Sequence, residues 1–502
     1  MSATTAAPPT PAPGPSRRLL GLGLAATVMF GFCLLPPFDG LPVAGQRAIG
    51  ILLFAVILWV TEAVDTTVSA VLIVVAIILL LGFAPDLTDG TRRLGIARAR
   101  DLAIAGFANN AVVLVGAALV FAAAVSVTGL DRRIALNVLA RVGSETKAIL
   151  AGTLLVGILL AFLVPSATAR VSAVVPIVLG IIAAFGISRD SRLAALLMIG
   201  SAQICSVMNI GVLTAAAQNI TMLGFTQRAL GQSVTWFDWF LAALPFWLIM
   251  TPILYLILWR FHRPEVDRIE GGAASIKARL AELGAMTGVE KRTLLTAAVL
   301  LLLWATEGRL HPFDTASTTI MAIAVLLLPG IGVMSWKQAQ TSVPWGTLLL
   351  FGVGVALGMV LVTTRGAPWL AGLIVDGFHL RQATPFLIIA VMSAFLIVVH
   401  LGFASATALS SAFIPIVISV LQEVSRAGVP VNILGITMIL QFAVSFGFML
   451  VMNAPQNMVA YGTGTFTGRA FSRSGVVITL VGYAVMLLLA ATWWRWLGLT
   501  TV

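Results

Sequence analysis

A thirteen-residue segment occurs twice in this chain, once in each half. Residues 166–178 read SATARVSAVVPIV, and residues 405–417 read SATALSSAFIPIV. Without gaps, the Ser, Ala, Thr, Ala, Ser, Ala, Pro, Ile and Val positions match. So close a repeat, deep inside an apolar sequence, indicates a duplicated fold with one polar break in each half.

The composition places this duplicated fold in a membrane. The chain is 59% hydrophobic and only 10% charged, whereas a soluble protein of this length carries about 25% charged residues. Uncharged runs such as 48–60, 148–164 and 476–491 are typical of transmembrane helices, since a β-barrel shows shorter alternating segments. The sequence therefore predicts an all-α polytopic membrane protein.

The charge and the motif inventory exclude several other classes of protein. The net charge of +11 comes from bases in short loops beside apolar runs, which is typical of topology signals and not of nucleic-acid binding. Cys33, Cys205 and the four histidines have no metal-ligand spacing. We find no zinc-protease or phosphate-loop motif. We therefore expect no enzyme activity, no cofactor and no metal site beyond a possible sodium ion.

Each half repeats one order of elements: an acidic turn, a span, an interfacial helix, a motif hairpin, a broken span and a final span. We count about eleven transmembrane helices plus two re-entrant hairpins, although each motif could instead join two full spans. Five spans per repeat is an odd number, so the second repeat is inverted. The predicted divisions are a disordered cytoplasmic tail 1–18, an extra first helix 19–39, a first repeat 40–259 with its hairpin motif at 165–170, a cytoplasmic linker 260–291, and a second repeat 292–496 with its hairpin motif at 403–408.

The distribution of bases predicts a cytoplasmic N-terminus. With this orientation the basic stretches 131–147, 260–292 and 469–473 lie on the cytoplasmic side. The loop 92–100, with four arginines, is the exception because it falls outside.

The two motifs supply a candidate anion site. Ser and Thr are favoured helix N-caps, and the amides of the first helical turn remain free to donate. Two helix N-termini that face one cavity would bind an anion without a buried lysine. Close helix packing by small residues is the alternative. The predicted substrate-binding residues of the hairpins are Ser166, Ala167, Thr168, Ser405, Ala406 and Thr407.

A second pair of polar segments interrupts apolar spans at 214–219 and 453–457. Amide side chains are costly in lipid and favourable in a wet cavity, although a satisfied contact between helices is the alternative. Arg170, inside the first motif, and Thr214 are candidates for ion coupling or charge compensation, unless Arg170 extends to the interface. The predicted cavity residues of these segments are Gln218, Asn219, Asn453, Gln456 and Asn457.

From residue 40 to 496 the chain resembles the divalent anion/sodium symporter family, whose members move dicarboxylates, citrate and sulfate. LWVTEAVDTTVSAVLI at 58–73 resembles that family's second and third helices. The SAT triplets fall on its repeated Ser-Asn-Thr signature, and FMLVMNAPQN at 448–457 falls on its Phe-Met-Leu-x-x-x-Thr-Pro-Pro-Asn loop. The resemblance implies a homodimer, an elevator mechanism and substrate carboxylates held by both triplets.

The departures from the family pattern are the same in both halves. Ala167 and Ala406 replace the signature Asn, and Gln218 and Gln456 replace the second Pro of the loop. Ala216 and Ala454 replace its Thr. Paired changes indicate a pocket adapted to its ligand. The run Pro-Ser-x-Thr-Ala-Arg, which ends at Arg170, resembles the branch that exchanges anions.

We therefore expect a secondary active transporter of small organic anions, di- or tricarboxylate-like, which works by sodium symport or by anion exchange. A transporter of sulfate or a sulfonate is the alternative within this class, and an anion channel is the alternative outside it. We also expect a bacterial inner-membrane location and a homodimer.

Overall fold

A computed structural model describes residues 15–87, 89–184, 186–269 and 272–501. These ranges form helices and turns, without β-strands apart from isolated bridges, so the predicted all-α class is confirmed. The helices are α1 Pro15–Leu34, α2 Val43–Thr61, α3 Thr66–Ala76, α4 Ile96–Ala105, α5 Asn110–Thr128, α6 Leu130–Leu139, α7 Thr146–Leu163, α8 Ala167–Ala184, α9 Arg192–Gly211, α10 Ala217–Leu230, α11 Trp236–Phe261, α12 Gly272–Glu282, α13 Gly288–Thr306, α14 Thr315–Leu327, α15 Trp336–Ser342, α16 Trp345–Thr363, α17 Gly366–Gly377, α18 Pro385–His400, α19 Ala406–Arg426, α20 Ile433–Val444, α21 Pro455–Tyr461, α22 Gly468–Ala491 and α23 Trp493–Trp496.

Eight helices of the described chain are long and apolar enough to cross a membrane, and six further apolar helices are shorter. The polytopic membrane architecture is therefore confirmed, and the total of eleven spans stays a prediction. Several short helices come in pairs that are separated by polar turns or by a 3₁₀ turn. Such breaks are tolerated at membrane depth only where protein or a polar cavity satisfies the backbone.

The first helix begins at Pro15, four residues before the predicted start at residue 19. Proline suits the first turn of a helix, because its fixed φ is helical and its missing N–H would have had no partner there. The predicted disordered tail was therefore wrong for residues 15–18, and its remainder, 1–14, lies outside the described residues.

The motif segments form the turns of two helical hairpins. In the first repeat α7 ends at Leu163 and α8 begins at Ala167; in the second, α18 ends at His400 and α19 begins at Ala406. Each hairpin packs against the broken span of its own repeat, α8 on α9 and α18 on α20. The broken spans are α9 with α10, joined by the 3₁₀ turn Leu213–Ala215, and α20 with α21, preceded by the 3₁₀ turn Val451–Asn453.

The helices predicted to be interfacial, α6 and α17, connect each hairpin to the helix before it through a residue with positive φ. Gly129, at φ 74°, joins α5 to α6, and Arg365, at φ 63°, joins α16 to α17. Such a conformation turns the chain sharply, and it favours glycine. The two helices are thereby set off from the spans that precede them.

The linker packs on the end of the protein where the first hairpin starts. Thr146 donates its backbone N–H to Asp267 and its hydroxyl to Val266, at 3.0 and 2.8 Å. Arg133 of α6 forms a buried ion pair with Glu290 of α13, with Nε to Oε1 at 2.6 Å. The linker, the interfacial helix α6 and α13 therefore lie at one end of the molecule.

The arginines of loop 92–100 are not free cations in the structure. Arg92 pairs with Asp89 at 3.4 Å, Arg98 with Asp86 at 3.0 Å and Arg100 with Asp101 at 3.0 Å. Arg93 lies over the ring of Phe83 at 5.5 Å. The positive-inside rule counts Lys and Arg and not net charge, so this loop remains the exception to a cytoplasmic N-terminus.

Candidate functional site

The tips of the two hairpins open into one cavity of about 980 Å³. Both broken spans contribute to its wall as well, so each repeat supplies the same two kinds of element. Of the predicted site residues, the cavity is lined by Ser166, Ala167, Thr168, Ser405, Ala406, Thr407, Gln218 and Gln456.

A serine caps the helix that leaves each tip. The Ser405 hydroxyl accepts from the Ala408 N–H at 3.4 Å, and the Ser166 hydroxyl accepts from the Ala169 N–H at 3.3 Å. The amides before these capped positions have no partner within the helix, so they can donate to a ligand. The positive ends of two helix dipoles face the same space, which suits an anion.

Two glutamines form hydrogen bonds from one repeat to the other. Gln218 of α10 donates its Nε2 to the Ser445 hydroxyl at 3.3 Å, and Gln456 of α21 donates its Nε2 to the Ser206 hydroxyl at 3.1 Å. Each bond joins the glutamine of one repeat to a serine on the broken span of the other. The pair of bonds fixes how the two broken spans meet beneath the cavity.

The remaining predicted amides lie behind the cavity wall. Asn219 donates to the Asn209 carbonyl at 2.7 Å, and Asn457 donates to the Gly447 carbonyl at 2.8 Å. These positions correspond when the two Gln-Asn pairs are aligned. Thr214 accepts from the indole of Trp236 at 3.2 Å. These side chains hold the breaks in the spans, and they do not line the described cavity.

Arg170 is fully buried, so it does not extend to the interface. Its Nη1 donates to the carbonyls of Val164 and Ala215, both at 2.9 Å. Its Nη2 donates to the Asn209 side-chain oxygen at 2.6 Å and reaches the Cys205 carbonyl at 3.4 Å. The guanidinium therefore occupies a ring of oxygens between the hairpin tip and the broken span.

Asn209 connects Arg170 to the cavity by a hydrogen bond. Asn209 lines the cavity, and because its Oδ1 accepts from Arg170, its amide nitrogen is the remaining donor. A hydrogen bond to a cation polarises the amide and strengthens that donor. Asn209 thus offers an amide donor near the position where Ala167 has replaced an asparagine.

In the second repeat, His400 and Asn453 occupy the corresponding place. Asn453 donates its Nδ2 to the carbonyls of His400 and Phe403, at 2.7 and 3.2 Å. The His400 Nε2 lies 3.1 Å from the Asn453 carbonyl; since a carbonyl only accepts, Nε2 carries the proton. Phe403 corresponds to Val164 by the motif repeat, and Asn453 corresponds to Ala215 by the Gln-Asn repeat.

The cavity opens toward one side of the protein. Its mouth includes Arg18, Glu62, Asp65, Thr66 and Thr347. The first three are the charged side chains among the described lining residues, apart from the buried His400, so the deeper wall is neutral. Dipoles and hydrogen bonds, and not a buried salt bridge, would therefore hold an anion there.

Aromatic contacts join the first hairpin to α11 and α13. Trp304, the counterpart of Trp59 in the second repeat, stacks on Trp236 with ring centroids 6.4 Å apart. Trp236 in turn packs on Phe162 near the tip of the first hairpin. Arg309 lies over the ring of Phe237 at 4.1 Å. Trp59 instead lines the open cavity.

Sequence reasoning did not select several residues that the structure brings to the site. Asn209, Ser206 and Ser445 lie within apolar spans and belong to neither of the repeated polar segments. A signal existed for His400, since it precedes the second motif by five residues and is a polar group in an otherwise apolar run. Only the fold shows that it faces the Asn453 carbonyl.

Comparison with known proteins gives consistent results along the whole chain. Residues 16–500 match the model of the sodium:sulfate symporter transmembrane region. A membrane protein of Cupriavidus necator is 48% identical over 478 residues, which cover 95% of this chain and 93% of the relative. The citrate/succinate antiporter of Escherichia coli is 26% identical, covering 93% of this chain and 96% of the relative. A sodium-dependent dicarboxylate transporter of Staphylococcus saprophyticus is 25% identical, covering 94% and 90%.

Proposed function

This chain belongs to the sodium:sulfate symporter family, and from that premise we propose that it exchanges small di- or tricarboxylate-like anions across a membrane. The family and its relatives are transporters and not enzymes, so the chain is an integral membrane transporter of anions. The observation that carries the finer proposal is the pair of capped hairpin tips that open into one neutral cavity.

The hydrogen-bond donors of the cavity support a carboxylate substrate. Two helix N-termini and the Asn209 amide provide donors, and the hydroxyls of Ser166, Thr168 and Thr407 add further donors around them. Hydrogen bonds to an ionised group contribute about 1.5–3 kcal/mol each. Several such bonds offset the desolvation of an anion without a fixed countercharge in the wall.

The contacts of Arg170 favour exchange over sodium symport. A ring of carbonyl and amide oxygens between a hairpin tip and a broken span is the coordination that a sodium ion seeks. In the first repeat the guanidinium of Arg170 occupies that ring. In the second repeat the donors of Asn453 and His400 occupy the corresponding place. We propose that these side chains replace coupling ions.

One-sided access supports the elevator mechanism that the resemblance implies. The cavity opens at Glu62 and Asp65, whereas Trp304, the counterpart of Trp59 in the second repeat, is packed against Trp236. The inverted repeat suggests a second state in which the two sides exchange roles. We further propose a homodimer, which the family resemblance implies. We also propose a bacterial inner membrane with a cytoplasmic N-terminus, because the relatives are bacterial and the basic stretches other than loop 92–100 fit that orientation.

Transport by the purified protein in liposomes tests exchange directly. We expect labelled citrate or succinate to enter vesicles that contain an unlabelled anion, and not anion-free vesicles. Replacing sodium by potassium should leave the rate unchanged. Uptake into empty vesicles that requires a sodium gradient would overturn exchange, and passive conductance in a planar bilayer would favour a channel.

The variant Thr407→Leu tests the place of the substrate. Leucine fills the space beside the second tip and removes a hydroxyl, so we expect uptake to fall at least a hundredfold while the melting temperature stays near that of the parent. Thr363→Leu is the matched control, because Thr363 is exposed at the end of α16 and does not line the cavity. Full uptake by Thr407→Leu would show that the substrate binds elsewhere.

A further inference from the structure

We propose that Gln218 and Gln456 make the cavity select substrates that carry a hydroxyl group between their carboxylates, over saturated dicarboxylates of equal length. This inference rests on the proposed function, because it concerns the same cavity. The hairpin tips do not distinguish among carboxylates, because their donors bind any carboxylate in the same way. The glutamines would supply that selectivity.

The orientation of the two glutamines is the first step. Both side chains line the cavity, and both amide nitrogens are engaged by serines of the opposite repeat. Each nitrogen thereby uses one of its two N–H donors, and the carbonyl oxygen of each amide remains for a ligand. An amide that could otherwise offer two donors to a carboxylate thus offers at most one, together with an acceptor oxygen.

The hydrogen bonds of Ser206 fix that orientation for Gln456. The Ser206 hydroxyl has one proton, which it donates to the Ala202 carbonyl one helical turn earlier, at 3.4 Å. While that bond is made, the Ser206 oxygen can only accept from its other partner, so Gln456 presents Nε2 to Ser206. A reversed amide would instead have to accept the Ser206 proton, which the Ala202 carbonyl would then lose.

The polar groups of the cavity wall would contact different parts of a bound substrate. Carboxylates meet the free amides of the tips and the Asn209 donor, and an amide oxygen repels them. The two glutamine oxygens require a donor, which a hydroxyl supplies and a methylene does not. An ammonium group would also donate, but the only carboxylates among the described lining residues, Glu62 and Asp65, lie at the mouth, so a neutral hydroxyl suits the deeper wall.

A substrate without a donor leaves the oxygens unpaired in a confined space. One net hydrogen bond is worth about 0.5–1.5 kcal/mol, which corresponds to a preference of about 2- to 13-fold. Sites that pair with a substrate hydroxyl reject the analogue that lacks it, because their own polar groups stay unsatisfied. We expect kcat/KM for malate to exceed that for succinate about tenfold.

The test compares malate and succinate, which differ by one hydroxyl, in exchange by the same proteoliposomes. Gln218→Leu and Gln456→Leu should each lower the malate-to-succinate ratio of kcat/KM several-fold, mainly through malate. Gln227→Leu, on α10 like Gln218 but exposed to solvent, is the matched control, and it should keep the parent ratio.

Ser206→Ala provides an independent variant that retains both glutamines. It releases the Gln456 amide, which can then turn its nitrogen toward a carboxylate, so succinate should gain and the ratio should fall. It also keeps the test decisive if the leucine variants misfold. A parent ratio near one, a ratio that Ser206→Ala does not change, or a preference for aspartate over malate would overturn the inference. Transport of neither malate nor succinate, nor any other dicarboxylate, would instead overturn the proposed function.

Discussion

The two repeats hold their hairpin tips to their broken spans with different chemistry. In the first repeat, one guanidinium joins Val164, Ala215 and Asn209. In the second repeat, an amide and an imidazole, Asn453 and His400, join the corresponding segments. The backbone geometry was duplicated, and the side chains that satisfy it were not.

This difference shows what the geometry requires and what it leaves free. Carbonyls that turn away from a broken helix need donors, because no water or lipid satisfies them inside the protein. A cation or a neutral pair can meet that need. The choice between them determines whether a permanent charge lies near the substrate. The first repeat has such a charge on Arg170, which is hydrogen-bonded to the cavity-lining Asn209.

The largest expected effect comes from Arg170→Leu. Removal of the guanidinium leaves the Val164 and Ala215 carbonyls and the Asn209 oxygen without their donor, at about 1–3 kcal/mol for each buried group. We expect a strong loss of thermal stability and no detectable exchange. Leu409→Ala, at the corresponding motif position of the second repeat, is the control. Its loss of thermal stability should come only from lost packing contacts.

Introducing the amide of the second repeat at the corresponding position of the first repeat tests whether the two arrangements are equivalent. Ala215 corresponds to Asn453, so the double variant Arg170→Leu/Ala215→Asn places an amide where the guanidinium was. We expect it to recover part of the thermal stability lost by Arg170→Leu, because the introduced amide can donate toward the Val164 carbonyl as Asn453 does toward Phe403. No recovery would show that the two repeats are not interchangeable at this place.

The smallest expected effect concerns the two sides of the cavity. Trp304 stacks on Trp236, whereas Trp59 donates to the Ser69 hydroxyl within its own segment, at 3.2 Å. Trp304→Phe should weaken the closed side and shift the population toward the opposite opening by about 0.5–1.5 kcal/mol. A cysteine introduced at Thr66, in the open mouth, should then react more slowly with a water-soluble maleimide. Trp59→Phe should change that rate less, and equal effects would contradict the asymmetry.

The sequence was informative where the chemistry is local and repeated. Apolar runs without charge predicted the helices, and the resemblance of residues 58–73 to two successive helices predicted the break between α2 and α3. The motif pair predicted two tips, and the cavity includes all six of their predicted residues. The start of α1 was placed too late because a Pro/Ala-rich composition outweighed the fit of Pro15 to a helix start.

The amide residues show where such reasoning ends. Gln218 and Asn219 are neighbours in the sequence, and both were expected in the cavity. They lie on α10 about 100° apart around the helix axis, so Gln218 faces the cavity while Asn219 turns back to the Asn209 carbonyl. No pattern in the chain shows which of two adjacent polar residues faces a space formed by another repeat.

The sequence by itself determined the membrane class, the duplication and the two hairpin motifs, because these follow from hydrophobicity and spacing along the chain. Only the tertiary structure decided that Arg170 is enclosed by backbone oxygens, that His400 and Asn453 take its place in the other repeat, and that the glutamines bond across the repeats. Apart from the bond between Arg170 and Val164, these are contacts between residues 35 to 250 positions apart. Their partners are mostly backbone carbonyls, whose directions depend on where each helix ends and not on the residue type that carries them.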